Sequence, residues 1–377
     1  MKKRICIVEL YDHHEVVRVL AKLFAGAGYD ISIFCSQEVM ANLGVLSAQF
    51  ILKPNSESQK VFMRKQVPTL NKSNLILFTT LVKYPKFFSQ LRFRPPTLLL
   101  IHDGNYFLRP NRYIQINGIK DSLRWIKFKL FREEKYRKQL LQHFTFVTFA
   151  DDFIAQNLSK EIKALNIKVL PALPLSFHEA QPARLPSKKT TIVIPGSIKP
   201  IRDYNMVIRA FRQIEHLISE PTNIVLLGNG NTNFGRKIIA QFKKLENKNI
   251  KIIAQEAPFT QKSYDDYLAK ASFAIIPIKK VFIGGIFMEE YGKTKITGSV
   301  NDVIRFGIPT LIRQSYPTNS YLFEAYQNFD ECSTLILNWL GSKSTKELTQ
   351  RSLAAHDYSF DNMTQKILNL EIYFSQK

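Results

Sequence analysis

Short apolar, β-branched runs alternate with longer helical patterns along almost the whole chain, and that alternation restricts it to an α/β fold built on parallel sheets. RICIVEL, VVRVLAKLFAGAG and DISIF read in turn as strand, helix and strand. In the helical run Val16, Val19, Leu20, Leu23 and Phe24 recur at helical spacing, and Gly26 and Gly28 supply the stop. Further strands are predicted at 74–78, 97–101 and 145–149. A Pro-rich, nearly patternless stretch from Pro171 to Lys189 then interrupts the pattern and reads as a linker.

Beyond it the rhythm restarts. TIVIPG is followed by a predicted helix over 203–217, NIVLLGNG by a helix over 233–245, and NIKIIA by a short helix over 263–270. FAIIPI, a Gly-rich loop, a helix over 299–306 and the strand PTLIR complete the series. A chain of 377 residues exceeds what one hydrophobic core usually serves. The expectation is therefore two doubly wound domains, 1–180 and 181–355, with a terminal amphipathic helix in 356–377 whose apolar face is Met363, Ile367, Leu368 and Leu370. Such sheets bind ligands at the carboxyl ends of their strands, which directs attention to the residues just after each one.

Other classes drop out on composition. Cys6, Cys35 and Cys332 are too few and too scattered for a disulfide framework or a metal cluster, and they fit a reducing compartment. The basic start of the chain leads into an apolar run that Glu9 and Asp12 cut short, unlike a signal peptide. No uninterrupted apolar run approaches the length of a membrane span.

Three strand-end turns carry candidate chemistry. After TIVIP come Gly196 and Ser197, with Lys199 and Arg202 just before a helix. Free amides, a helix N-terminus and two cations suit a diphosphate, and the same residues also fit a solvated basic turn. Gly228-Asn229-Gly230 lacks the spacing of a dinucleotide fingerprint, and glycine there also serves a tight turn. The third stretch, from Gly284 to Pro309, holds Glu289-Glu290, a small and hydroxylated segment from Thr294 to Ser299, and Asp302 on the first turns of a helix. In the first half, His102-Asp103 directly follows a strand, and His13-His14 follows the first one. A metal site from these three histidines has no supporting ligand spacing.

Taken in order, these turns resemble the nucleotide-sugar domain of GT-B glycosyltransferases of the large retaining, glycogen-synthase-like group. TIVIPGSIKPIRDYNMVIRAF is similar to that group's first strand, phosphate turn and helix, and SYDDYLAKASFAIIPI to its later helix and strand. The resemblance implies two Rossmann-like domains facing each other across a cleft, a UDP- or GDP-linked sugar as donor substrate, no cofactor and no metal. It implies donor contacts from Gly196, Ser197, Lys199, Arg202, Gly228, Asn229, Glu290, Lys295, Thr297, Ser299 and Asp302. Arg202 matches the cation that holds the diphosphate, and Asp302 the acidic residue that holds the ribose. It departs in two places. Ser197 stands where an arginine is usual, so Lys199 has to supply that charge. Thr294 occupies the register of the first glutamate, with Glu289 and Glu290 a few residues early. In the first domain the resemblance implies that His102 and Asp103 face the transferred sugar and that His13, His14 and Asn105 face the acceptor. The last helix resembles the one that braces the N-terminal domain in such enzymes.

The chain has 53 Lys+Arg against 31 Asp+Glu, a net charge of +22. Between Lys83 and Lys138 lie 14 basic and 4 acidic residues. Within them KDSLRWIKFKLFREEKYRKQLLQ interleaves cations with Trp125, Ile126, Phe128, Leu130, Phe131 and Tyr136. That suits a basic amphipathic helix at an anionic lipid surface ahead of a domain helix with a solvated basic face. A nucleic-acid partner explains the charge but not the strand-end turns. The expectation is a glycosyltransferase of surface polysaccharide synthesis, lipopolysaccharide or capsule, acting on a glycan or lipid-linked acceptor at the inner, cytoplasmic face of the cell membrane. A same-fold nucleotide-sugar epimerase or hydrolase and a nonenzymatic basic binding module are the alternatives.

Overall fold

The computed structural model describes residues 2–179, 189–317, 320–341 and 344–375, so part of the expected linker, 180–188, lies outside the described residues. The chain divides into two units. Unit 1 comprises Met1–Leu175, Ile283–Ile296 and Phe360–Lys377, and unit 2 comprises Ser176–Phe282 and Thr297–Ser359. The units are not separated by a single cut, since Ile283–Ile296 and Phe360–Lys377 both belong with the first.

Unit 1 is built on β1 (Arg4–Glu9), β2 (Asp30–Ser36), β3 (Gln49–Lys53), β4 (Leu75–Phe78), β5 (Thr97–Ile101) and β6 (Phe146–Phe149). Their order across the sheet is β3-β2-β1-β4-β5-β6, and every pairing is parallel. β4, β5 and β6 are buried at every position, as expected of strands covered on both faces. β3 is a half-exposed edge strand, and its short mixed run gives little sequence signal.

In unit 2 the strands are β7 (Thr190–Ile194), β8 (Thr222–Leu226), β9 (Ile250–Ile253) and β10 (Phe273–Ile276). The Gly-rich loop expected next is instead a two-stranded hairpin, β11 (Val281–Gly284) and β12 (Phe287–Glu290), turning at Gly285 with φ +66°. The unit 2 sheet closes with β13 (Thr310–Arg313) and β14 (Phe323–Tyr326), in the order β14-β13-β10-β7-β8-β9. Both sheets thus have the doubly wound 3-2-1-4-5-6 order. Each has a topological switch point, between β1 and β4 in one and between β7 and β10 in the other.

Local chemistry explains the helices that matter for the sites. Helix His14–Gly26 buries Val16, Val17, Leu20, Leu23 and Phe24, and it stops where Gly28 takes φ +87°. Gly26 serves packing instead: a side chain there would run into Phe360 and Thr364 of helix Phe360–Ser375. Met363, Ile367 and Leu370 of that last helix are buried, whereas Leu368, expected on the same face, is exposed. It lies one position beyond Ile367, about 100° around the helix.

The basic segment 120–142 is not one helix. It forms Ile119–Leu130 and Glu133–His143, broken where Arg132 adopts a left-handed φ of 52°. Two of its aromatics turn toward the body of unit 1. Phe128 is buried edge-on against Phe287 of β12, with centroids 5.2 Å apart, and the half-buried Trp125 stacks on it.

Candidate active site

In unit 1 the carboxyl ends of β1, β4 and β5 bring His13, Thr79, Thr80 and His102 together, although they come from three separate parts of the sequence. The imidazoles of His13 and His102 stack with centroids 4.6 Å apart and planes 4° from parallel. His102 Nε2 lies 2.9 Å from the Thr79 carbonyl oxygen. A carbonyl only accepts, so Nε2 carries the proton and Nδ1 is left as an acceptor. Burial, reinforced by His13, lowers the His102 pKa to about 3, so the ring is neutral at physiological pH.

His13 Nδ1 shares a 2.6 Å hydrogen bond with the Thr80 hydroxyl and lies 3.9 Å from Glu9 Oε2. Glu9 is fully buried and accepts from Thr79 Oγ1 and from the Tyr11 amide, each at 2.7 Å. Burial raises its pKa against the pull of these partners. His14 is separate from this group: its Nδ1 is 3.1 Å from the Asp12 carbonyl oxygen.

A second layer comes from the hairpin. Asp103 pairs with Lys295, and the Gly104 amide donates to the Thr294 carbonyl at 2.9 Å. A side chain at position 104 would strike Leu158 and that carbonyl oxygen, so the close approach needs glycine. Glu289, almost fully buried, accepts from the Asn105 amide at 3.0 Å and the Tyr106 amide at 2.8 Å. Burial, with Asp103 adding repulsion, raises its pKa to about 7. Asn105 is itself buried and donates through Nδ2 to the Met288 carbonyl at 3.0 Å. Glu290 caps the turn, its carbonyl accepting from the Thr294 amide at 2.9 Å and its carboxylate lying 3.1 Å from Lys293.

The unit 2 cluster surrounds the turn after β7. Gly196 has φ +90°, and a side chain there would meet the Arg202 guanidinium and the Ser299 hydroxyl. Arg202 is buried, donating to the Pro195 carbonyl at 3.2 Å and to Ser299 Oγ at 2.9 Å. Ser299 Oγ in turn donates to Pro195 O at 3.1 Å. The turn is therefore tied to the start of helix Gly298–Arg305, whose cap residue Thr297 has no side-chain capping bond. Gly228 packs against Gly196 O and Ile198 N, where no side chain fits. Lys199 is exposed, and so is Asn229, whose Oδ1 accepts from the Asn231 amide at 2.8 Å. Asp302 Oδ2 accepts from the Tyr264 hydroxyl at 2.8 Å.

The residues expected to bind the donor are thus divided by the fold. Glu290 and Lys295 belong to unit 1, and Gly196, Ser197, Lys199, Arg202, Gly228, Asn229, Thr297, Ser299 and Asp302 to unit 2. Glu9, Thr79 and Thr80 were not singled out by sequence, and Glu289 was noted there only as half of an acidic pair. An acidic residue closing the apolar run of β1, and a Thr-Thr pair directly after β4, were the available signals. Among the described residues no group of three or more His, Cys, Asp or Glu side chains is placed to hold a metal ion.

No protein-family model matches the chain, and no curated protein sequence matches it. Solved structures do. A glycosyltransferase from Rickettsia africae ESF-5 is similar over 100% of this chain and 99% of its own, at 12% identity and a TM-score of 0.63. Anabaena HepE, solved in complex with UDP and glucose, is similar over 99% and 100% respectively, at 13% identity and a TM-score of 0.61. A UDP-N-acetylglucosamine 2-epimerase assignment from Listeria monocytogenes is similar over 100% and 98%, at 12% identity and a TM-score of 0.56. The chain has the GT-B fold, with two Rossmann-like parallel sheets.

Proposed function

We propose that this chain is a glycosyltransferase that moves a sugar from a UDP- or GDP-linked donor to a glycan or lipid-linked acceptor. The observation that carries the proposal is the turn after β7. Buried Arg202 joins Pro195 O to Ser299 Oγ and so fixes a glycine turn beside the start of helix Gly298–Arg305. Backbone amides and a helix N-terminus held in this way suit a diphosphate, and exposed Lys199 adds a positive charge. Stabilising negative charge on the departing diphosphate is the main catalytic demand in such a transfer. HepE, of the same fold, was solved with UDP and glucose, which supports a UDP-linked donor.

In this reading Asp302, positioned by Tyr264, holds the ribose. Gly228 and Asn229 lie on the neighbouring strand end, while Glu290, Lys295 and Thr297 bound the donor sugar. His102, neutral and with Nδ1 free of a proton, accepts a hydrogen bond from the sugar in transit beside the Asp103–Lys295 pair. His13, His14 and Asn105 belong to the acceptor side. Transfer proceeds with retention and without a metal. The domains follow the two units, with Phe360–Ser375 bracing the first against helix His14–Gly26.

The reading extends to surface polysaccharide synthesis at the cytoplasmic face of the cell membrane. Three free, buried cysteines fit a reducing compartment, and the net charge of +10 over 83–138, from 14 basic and 4 acidic residues, fits an anionic membrane. Among the described residues no helix is long and apolar enough to cross a membrane.

Calorimetry against a set of UDP-, GDP- and ADP-sugars tests the proposal. Binding of a UDP- or GDP-sugar, with turnover that requires an acceptor, is the expected result. Failure to bind any of them overturns it. Sugar conversion or nucleotide release with no acceptor present would instead assign an epimerase or a hydrolase.

A further inference from the structure

Helix Ile119–Leu130 is amphipathic in an unusual sense, because the aliphatic stripe faces outward. Ile119 is 81% exposed, Leu123 53%, Ile126 57% and Leu130 73%. At about 100° per residue these four fall within an arc of roughly 60°, forming one straight row along the helix. Phe128, on the opposite side, is the residue that seats the helix, packed against Phe287. Water-facing rows of large aliphatics are costly on a soluble surface and mark a place where something binds.

The flanks of the row are cationic. Lys120, Lys127 and Arg124 lie along one side and Lys129 along the other, all exposed. The helix has one acidic residue, Asp121, on the inward side, and it lies 3.1 Å from Arg124. Glu133 and Glu134 of the next helix pair with Arg137 and Lys138. Arg112 to Lys138 holds 9 basic and 3 acidic residues. Phe131, at the point where the chain turns after the helix, is exposed as well.

The geometry points to an in-plane membrane anchor: helix Ile119–Leu130 lies along an anionic lipid surface, with Ile119, Leu123, Ile126 and Leu130 among the acyl chains and Lys120, Lys127 and Lys129 at the headgroups. This deepens the membrane part of the proposed function. It replaces a diffuse basic segment by one helix face, and it does not depend on the donor site. A narrow convex row between cations of one sign matches a lipid interface, where aliphatics enter the hydrocarbon and Lys side chains extend outward to anionic headgroups.

The test is flotation of the full chain with vesicles of phosphatidylcholine alone or mixed with phosphatidylglycerol, at low and high salt. The wild type should float with the anionic vesicles at low salt and largely lose them at high salt. The double variant Leu123→Ser/Ile126→Ser should bind the anionic vesicles roughly ten-fold more weakly or worse, and Lys120→Gln/Lys127→Gln about ten-fold more weakly at low salt. All four positions are exposed, so melting temperature should hold, and nucleotide-sugar calorimetry on the same variants reports the donor site separately. A wild type that fails to float, or a Leu123→Ser/Ile126→Ser variant that floats as well as wild type, overturns the anchor. A wild-type dimer that Leu123→Ser/Ile126→Ser converts to monomer would assign the row to a second copy and overturn it as well.

Discussion

His13 and His102 stack face to face, 4.6 Å between ring centroids, and the surroundings of His102 hold its imidazole neutral. For His102, burial and the adjacent His13 outweigh the favourable effect of Asp103. His102 thereby places a neutral hydrogen-bond acceptor at the carboxyl edge of β5, beside the Asp103–Lys295 pair.

That relationship sets an acid-side pH dependence. The folded-state pKa of His102 is about 3 and lies below the ordinary value of 6.5, so the unfolded chain binds the extra proton. Stability is lost as pH falls through the window from 6.5 toward 3. His102→Phe keeps the stack and removes the proton site. Urea unfolding from pH 7 to pH 4 should show a loss smaller than wild type by about 3 kcal/mol. Parallel pH curves for the two proteins would refute the assigned environment.

Glu289 has the opposite sign. Its folded-state pKa of about 7 lies above the ordinary 4.5, so the folded protein holds the extra proton. Its contribution is fully present below 4.5 and is lost as pH rises to 7, by about 2–3 kcal/mol. Glu289→Gln should flatten this limb. It should also cost about 1–3 kcal/mol at pH 5, because its NH2 group faces one of the two amides that the carboxyl group accepts from. Chemical denaturation at pH 5 and pH 8 measures both effects.

Arg202 and Lys199 should separate on substitution. Arg202→Ala removes a buried guanidinium from Pro195 O and Ser299 Oγ and should cost about 2–4 kcal/mol in addition to weakening nucleotide-diphosphate binding. Lys199 is exposed, so Lys199→Ala should leave stability within about 0.5 kcal/mol and weaken the same binding roughly ten-fold. Calorimetry paired with thermal melts distinguishes the two, and unchanged affinity in both variants would remove the turn from the donor site.

Gly196→Ala tests the turn itself. A Cβ at φ +90° is strained, and it would also displace Arg202 and Ser299. The expected outcome is a loss of about 2 kcal/mol or more, read as a lowered melting temperature, with nucleotide binding abolished or reduced by over ten-fold. Wild-type affinity in this variant would show that the turn plays no part in holding a diphosphate.

Much of the fold was legible because buried parallel strands must be continuous apolar runs. Leu75–Phe78, Thr97–Ile101 and Phe273–Ile276 announce themselves for that reason. Edge strands Gln49–Lys53 and Phe323–Tyr326 have one side in solvent and do not. The break at Arg132 was invisible because the cationic and aromatic pattern runs straight through it, and only the backbone's left-handed turn divides it. The hairpin Val281–Glu290 was hidden by its glycines, which read equally well as a loop.

Sequence by itself determined the α/β class, the doubled rhythm and the turns after β7 and β5, because hydrophobic period and glycine position are local properties of the chain. Tertiary structure decided the partners. Burial turned Arg202 inward to Ser299, 97 positions away, brought Glu289 under the amides of Asn105 and Tyr106, and stacked His13 on His102. It also decided which side of helix Ile119–Leu130 meets solvent, since Phe128 found Phe287 and left the aliphatic row outside. Periodicity places residues on a common face of a helix, but which face is covered depends on what packs against it.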